Sequence, residues 1–412
     1  MLRRLSLARC LPVSALAVLL CGQTVSVRAD DSSEPTKTPA AAGTTSAWES
    51  KLERAEHACV EGNYTAANQL GLDALSAAPD DVSKAAVLNQ MGVMQMRLHR
   101  FVDARKSFSD ALELRRKIQG NSGAEALQTM SNLALAIYKV GDHKKAEDMY
   151  QECIGLKRKS MPGSASLAKT LINLGNLYSD EFRCPDAKSL YLEGYDIDRK
   201  IYGDTHAEVA ADLCNVGCLL FRCHENKDAI DYLLKADSTY SAIGDSSGRV
   251  KALHYLSLTY ADIKDYDKAA DASLRSLEIH ESLVGKGHPD TLIHLLNAAK
   301  SLDLGGKSEK AEQLYKQALS SARAAKDPSN LRLAECNLEL AQFYRRHDKD
   351  TDAEQYFRKA LVHYDELSKK DKRNLYEIPL AYSELLKQLK RVNESDQLAH
   401  RYLDVYKPGS DK

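Results

Sequence analysis

Along residues 171–178 the apolar and small side chains fall at i, i+3, i+4 and i+7, as Leu171, Leu174, Gly175 and Tyr178, with polar residues between them. That spacing draws one stripe down an α-helix. The same stripe, its opening position degraded, runs through Thr129, Leu133, Ala134 and Ile137. A second kind of helix follows, marked by a small residue, an aromatic one turn on and a further small residue: Ala146, Tyr150 and Cys153, then Ala187, Tyr191 and Gly194. Ala311, Tyr315 and Ala318, and Ala353, Phe357 and Ala360, repeat it. Small residues let two helices approach, and the rings fill the space between neighbours.

The small residue that opens this second pattern returns at Ala67, Ala104, Ala146, Ala187, Ala229, Ala269, Ala311, Ala353 and Ser395, in steps of 37 to 42 residues. Nine copies in register predict an all-α chain of about nine antiparallel helix pairs over residues 48–406, stacked as a right-handed α-solenoid. Gly62, Gly141 and Gly306 share one position between the helices of a pair, where a chain leaving a helix often needs a left-handed residue. Pro185 falls just inside its second helix, where its missing N–H costs nothing. Turn-forming stretches such as "QGNSGAE", "YGDTHAE" and "GKGHPDT" separate successive pairs. A single pair buries about 10 kcal/mol of side chains against ordering costs of ~1 to 2 kcal/mol per residue, so only stacking makes the pairs stable. Lys51 and Arg54 stand where later pairs are apolar, which suits a solvent-facing first pair.

The stretches "NLALAIYKVGDHKKAEDMYQECI", "NLGNLYSDEFRCPDAKSLYLEGY" and "VGKGHPDTLIHLLNAAKSLDLGGKSEKAEQLYKQAL" resemble the tetratricopeptide repeat family, in the long-repeat form of kinesin light chains. Roughly eight residues beyond a 34-residue repeat add about 12 Å of helix to each pair. The resemblance implies binding of a peptide segment in a concave groove. It also gives His206 and His288, in the turns between pairs, a structural role.

Two amides interrupt the stripe of 171–178, Asn173 and Asn176. In a right-handed stack the first helices line the concave side, and the position of Asn173 reads Gln90, Asn132, Asn173, Asn215, Tyr255, Asn297 and Glu339 in successive pairs. Carboxamides both donate and accept, so such a row satisfies the backbone of an extended chain whatever its side chains are. Gln90, Asn132, Asn173, Asn176, Asn215 and Asn297 are therefore the candidate peptide-binding residues, joined by Lys169. The alternative is that the amides tie one helix to its neighbour or hold water. Of the family's carboxylate clamp only Asn132, Lys169 and Asn173 come near, and Asn89 stands where its first lysine belongs. Grip on a chaperone's C-terminal carboxylate is disfavoured.

The N-terminus changes the picture of where this happens. Arg3, Arg4 and Arg9 precede an apolar run from Leu11 to Leu20, and Val27-Arg28-Ala29 offers a small-residue cleavage pattern. Residues 1–29 read as an export signal cleaved near Ala29, giving a periplasmic, cell-envelope or secreted protein with no transmembrane span. Bulky Leu20 argues against a lipoprotein at Cys21. Residues 30–47 carry no aliphatic side chain larger than alanine and read as a disordered linker, and 407–412 as a disordered tail.

Charge and candidate chemistry remove functions rather than add them. Beyond residue 29 the chain has 58 acidic against 53 basic residues, too balanced for a nucleic-acid binder, which needs a concentrated basic face. Cys214, Cys218, Cys223 and His224 form the one tempting metal cluster, but they lack paired C-x-x-C spacings, and small buried residues at repeat positions explain them better. The odd thiol count also argues against a complete disulfide framework. There is no HExxH, G-x-S-x-G, phosphate loop or dinucleotide fingerprint. The expectation is a non-enzymatic scaffold with no metal and no cofactor, binding a protein or peptide. The alternatives are an envelope assembly component acting through self-association or its convex face, and a metal-dependent enzyme. Oligomeric state, partner and process are not written in the sequence.

Overall fold

The computed structural model describes residues 46–325 and 328–402. The signal, most of the linker and the C-terminal tail expected from the sequence lie outside the described residues. Within them are nineteen α-helices, one 3-10 turn and no strand. The chain is all-α with the α-solenoid fold, and it divides after Cys223 into two compact units.

The first unit holds α1 (Ala47–Val60) and α2 (Tyr64–Ala77), α3 (Asp81–Arg97) and α4 (Phe101–Gln119), α5 (Ala124–Val140) and α6 (His143–Ser160), α7 (Ala165–Asp180) and α8 (Cys184–Tyr202), and α9 (Ala207–Arg222). The second holds α10 (Asn226–Ala242), then α11 (Ser246–Asp262) and α12 (Tyr266–Val284), α13 (Leu292–Leu304) and α14 (Ser308–Ala324), α15 (Asn330–Arg346) and α16 (Asp350–Asp365). A short α17 (Lys369–Asn374), which no periodicity announced, precedes α18 (Glu377–Gln388) and α19 (Val392–Tyr402). Within each unit the helices of a hairpin pack on each other, and first helices also touch first helices: α1, α3, α5 and α7 in one unit, α11, α13 and α15 in the other.

The recurrent small residue sits on a second helix in every repeat, and all nine copies are buried. One turn on, the rings of Phe108, Tyr150, Tyr191, Tyr315 and Phe357 are buried too. They need room on the first helix of the same hairpin. A Cβ added at Gly92 would stand 2.6 Å from the Phe108 ring, and one at Gly175 would stand 2.7 Å from the Tyr191 ring. Glycine is required there by close approach, because a ring and a methyl cannot share the space.

The turn inside each hairpin has one conformation throughout. Gly62, Gly141 and Gly306 have φ of 73°, 102° and 79°, and the equivalent His99, Phe182, His224, Lys264, Asp348 and Lys390 are also left-handed, with φ of 55° to 64°. Six copies thus tolerate a strain of about 1–2 kcal/mol each, held by the flanking helices.

Successive hairpins are clasped at their turns. Tyr178 Oη donates to Glu147 at 2.9 Å and Arg183 reaches the same carboxylate at 3.0 Å. In the second unit Tyr344 Oη donates to Glu312 at 2.8 Å, and Arg391 holds Glu354 at 2.8 Å. Deeper in the first unit, buried Lys157 donates to Ser166 O at 2.9 Å and to Thr170 Oγ1 at 2.8 Å. Arg115, one repeat earlier, reaches Thr129 and Glu125 O in the same way.

Candidate functional site

The candidate site is the face along which first helices meet. In the first unit most of that face is closed. Asn132 is 1% exposed and Asn173 2%, and Asn176 and Asn215 are equally enclosed, as are Ser131, Ile172, Cys214 and Cys218 beside them. The sequence placed these amides on a wall open to a ligand; the structure buries them, on a face where α1, α3, α5 and α7 meet in succession. Asn176 has an evident structural task. Its Oδ1 accepts from Tyr191 Oη at 2.5 Å, so the buried phenol has an acceptor. Leu135 stands at the same position one repeat earlier, and there the Tyr150 hydroxyl has no hydrogen-bond partner among the described residues. Of the seven candidate residues only Gln90, Lys169 and Asn297 are partly exposed.

In the second unit the same face is half open. His254, Leu296, Asn297, Lys300 and Gln342 are all partly exposed. Asn297 is hydrogen-bonded to Nδ1 of His254, on the preceding first helix, at 3.2 Å. His254 belongs to a set of three imidazoles that the sequence did not single out. Its ring centroid lies 5.8 Å from that of His294, and His280 lies 4.8 Å from His294. Ser276 Oγ meets His294 Nδ1 at 3.0 Å. Burial holds His254 down at about 4; burial and then the two neighbouring rings hold His294 at about 3. The rings come from α11, α12 and α13, so only hairpin stacking brings them together.

The tempting cysteine cluster resolves differently. Cys223 is bonded to Cys184, with Cα atoms 6.2 Å apart, while Cys214 and Cys218 face each other one turn apart at 3.9 Å between sulfurs. Among the described residues no group of His, Cys, Asp and Glu could hold a metal ion. The disulfide joins the first residue of α8 to the end of α9. Two cysteines 39 residues apart, close to one repeat period, and both beside the left-handed turn position, were the legible signal for it. His206 and His288 do have the structural role that the resemblance implied: each ring accepts from a backbone N–H two residues on, Glu208 and Asp290, at 3.2 Å. No described helix is long and apolar enough to cross a membrane.

A tetratricopeptide repeat model matches residues 83–159, 166–236 and 249–324, more than half of the 412 residues. No curated protein matches the chain. Among solved structures, the apo form of RapI is similar with a TM-score of 0.50 at 13% identity, covering 67% of this chain and 97% of that one. BtubC (BKLC) from P. vanneervenii is similar at 0.49 and 22% identity, covering 54% of this chain and 91% of its own. A putative kinesin light chain from Podosopora anserina, with nearly identical TPR-like repeats, gives 0.45 and 16%, covering 49% and 97%. These likenesses concern the fold alone. With paired helices on a period near 42, a small residue buried at one register throughout, and three stretches matched by the family model, the chain belongs to the tetratricopeptide repeat family, in its long-repeat form.

Proposed function

We propose that this chain is an exported, non-enzymatic scaffold that holds an extended segment of another protein along its first-helix face. The observation that carries the reading is the half-open stretch of the second unit, where Asn297, Lys300 and Gln342 each keep polar atoms in reach of solvent. Side chains of this kind can hydrogen-bond a bound backbone without regard to its sequence. Of the amide row, Asn297 meets the segment in the second unit, and Gln90 and Lys169 are the partly exposed positions of the first. Asn132, Asn173, Asn176 and Asn215 are sealed within the first unit and contribute through its rigidity.

Export is supported by the basic and apolar N-terminal run and by the Cys184–Cys223 disulfide, a bond that persists in oxidising compartments. The test is capture of partners from an envelope or secreted fraction by wild-type chain and by the combined Gln90→Ala, Lys169→Ala and Asn297→Ala variant, with helicity followed by circular dichroism. Capture should fall at unchanged helicity; undiminished capture rejects the face. N-terminal sequencing of the native protein should begin near Asp30.

A further inference from the structure

The row that carries amides in most repeats carries an acid in one. Glu339, on α15, stands at the register of Asn132, Asn173, Asn215 and Asn297. It is only 5% exposed, and its Oε2 has no hydrogen-bond partner among the described residues. A carboxylate taken out of water without a matching donor costs several kcal/mol. Two more acids surround it. Glu335 lies one turn earlier on the same helix, and Glu377 opens α18. Gln342, on α15, donates to Glu377 at 2.6 Å, which fixes α18 against the same face. Burial pushes both the Glu335 and the Glu377 carboxyls up, and the charge of Glu339 pushes each further.

The cations nearby do not complete the site. Arg332 is paired with Glu335 at 3.2 Å, and Arg346, whose charge also acts on Glu339, has its ion pair with Asp303 at 2.8 Å. Lys300, on the neighbouring α13, acts on Glu377 through its charge. Glu335 and Glu377 thus both feel the charge of Glu339, whose Oε2 lacks a donor among the described residues, and Leu296 and Asn297 one repeat earlier are half-buried.

We infer that this recess, formed by Glu335, Glu339 and Glu377 on the second unit's first-helix face, takes a lysine or arginine side chain of the bound segment. The inference rests on the scaffold reading and adds to it the partner's chemistry: an extended segment with a basic residue at the position that meets α15. The aliphatic stem of such a side chain lies against Leu296 while its charged head supplies the donor that Glu339 lacks.

The experiment is fluorescence anisotropy on the mature chain with end-blocked, labelled octapeptides of alternating alanine and lysine, alanine and glutamine, or alanine and glutamate, at physiological salt. The lysine peptide should bind roughly tenfold or more tighter than the other two. Glu339→Gln and Glu377→Gln should each remove most of that preference, whereas Glu309→Gln, on the exposed surface of α14, should leave it intact. Glu339→Asn, which restores the amide of the row, serves as the second variant if the first does not fold. Equal affinity for all three peptides, binding of none at millimolar concentration, or an equal loss in the Glu309 variant would each overturn the recess. Native-partner capture that needs Gln90, Lys169 and Asn297 but ignores Glu339→Gln and Glu377→Gln would overturn it too and leave the scaffold reading standing.

Discussion

The two units build the same face from the same repeat and finish it differently. In the first, the positions between first helices are filled by Asn89, Ser131, Asn132, Ile172, Asn173, Asn176, Cys214 and Asn215, all buried. In the second, the equivalent stretch mixes buried Tyr255, Leu258, Leu338 and Glu339 with partly exposed His254, Leu296, Asn297, Lys300 and Gln342. Short amides and small residues fit between two closely packed helices and become part of the packing. Lys300 and Gln342, longer than the Asn176 whose register they share, stay partly exposed. A repeat register therefore fixes which face a residue occupies, and side-chain size and the spacing of neighbouring hairpins decide whether that face is available.

The largest expected effect tests the closed unit. Replacing Cys184 and Cys223 by serine reopens a loop of 39 residues, a loss of about 4 kcal/mol in the chain-entropy account. Hydrogen exchange should show faster opening in α7 to α9 of the first unit, with α11 to α16 unchanged. Equal acceleration in both units would break the comparison.

Acid should strike the other unit. His254 and His294 are held at about 4 and about 3, below their ordinary value, so the unfolded chain binds more protons as pH falls. Their contribution is complete above pH 6.5 and is lost progressively from there toward pH 4 and 3. Hydrogen exchange at pH 5 against pH 7, corrected for intrinsic rates, should show loosening centred on α11 to α13. Replacing His294 by phenylalanine should flatten that dependence.

A smaller effect separates glue from docking. Asn176→Leu leaves the Tyr191 hydroxyl buried without an acceptor and should cost about 1–3 kcal/mol in thermal melts. The double variant with Tyr191→Phe should recover most of it, copying the hydrophobic partner that Leu135 supplies near Tyr150. If Asn176→Leu is neutral in stability but lowers partner capture, the amide faces a ligand after all.

Much of the architecture was legible because it rests on period. Ala67 through Ser395 mark the second helices, and every one is buried as a shared register requires. Gly62, Gly141 and Gly306 disclosed the left-handed turn, yet Phe182 and Lys264 adopt it as well, with nothing in their own chemistry to announce it. The amide row was correctly placed on the first helices, but its enclosure was not legible, since it depends on how near the next hairpin comes.

Helix pairing, repeat number and the face assigned to each position follow from the sequence alone, because local periodicity and small-residue spacing act over one or two turns. Which amides are sealed, which imidazoles meet, which cysteines bond and which carboxyls feel one another's charge are settled by tertiary structure. Each of those groupings joins residues from separate helices, tens of positions apart in the chain, so their distances exist only once the hairpins have stacked.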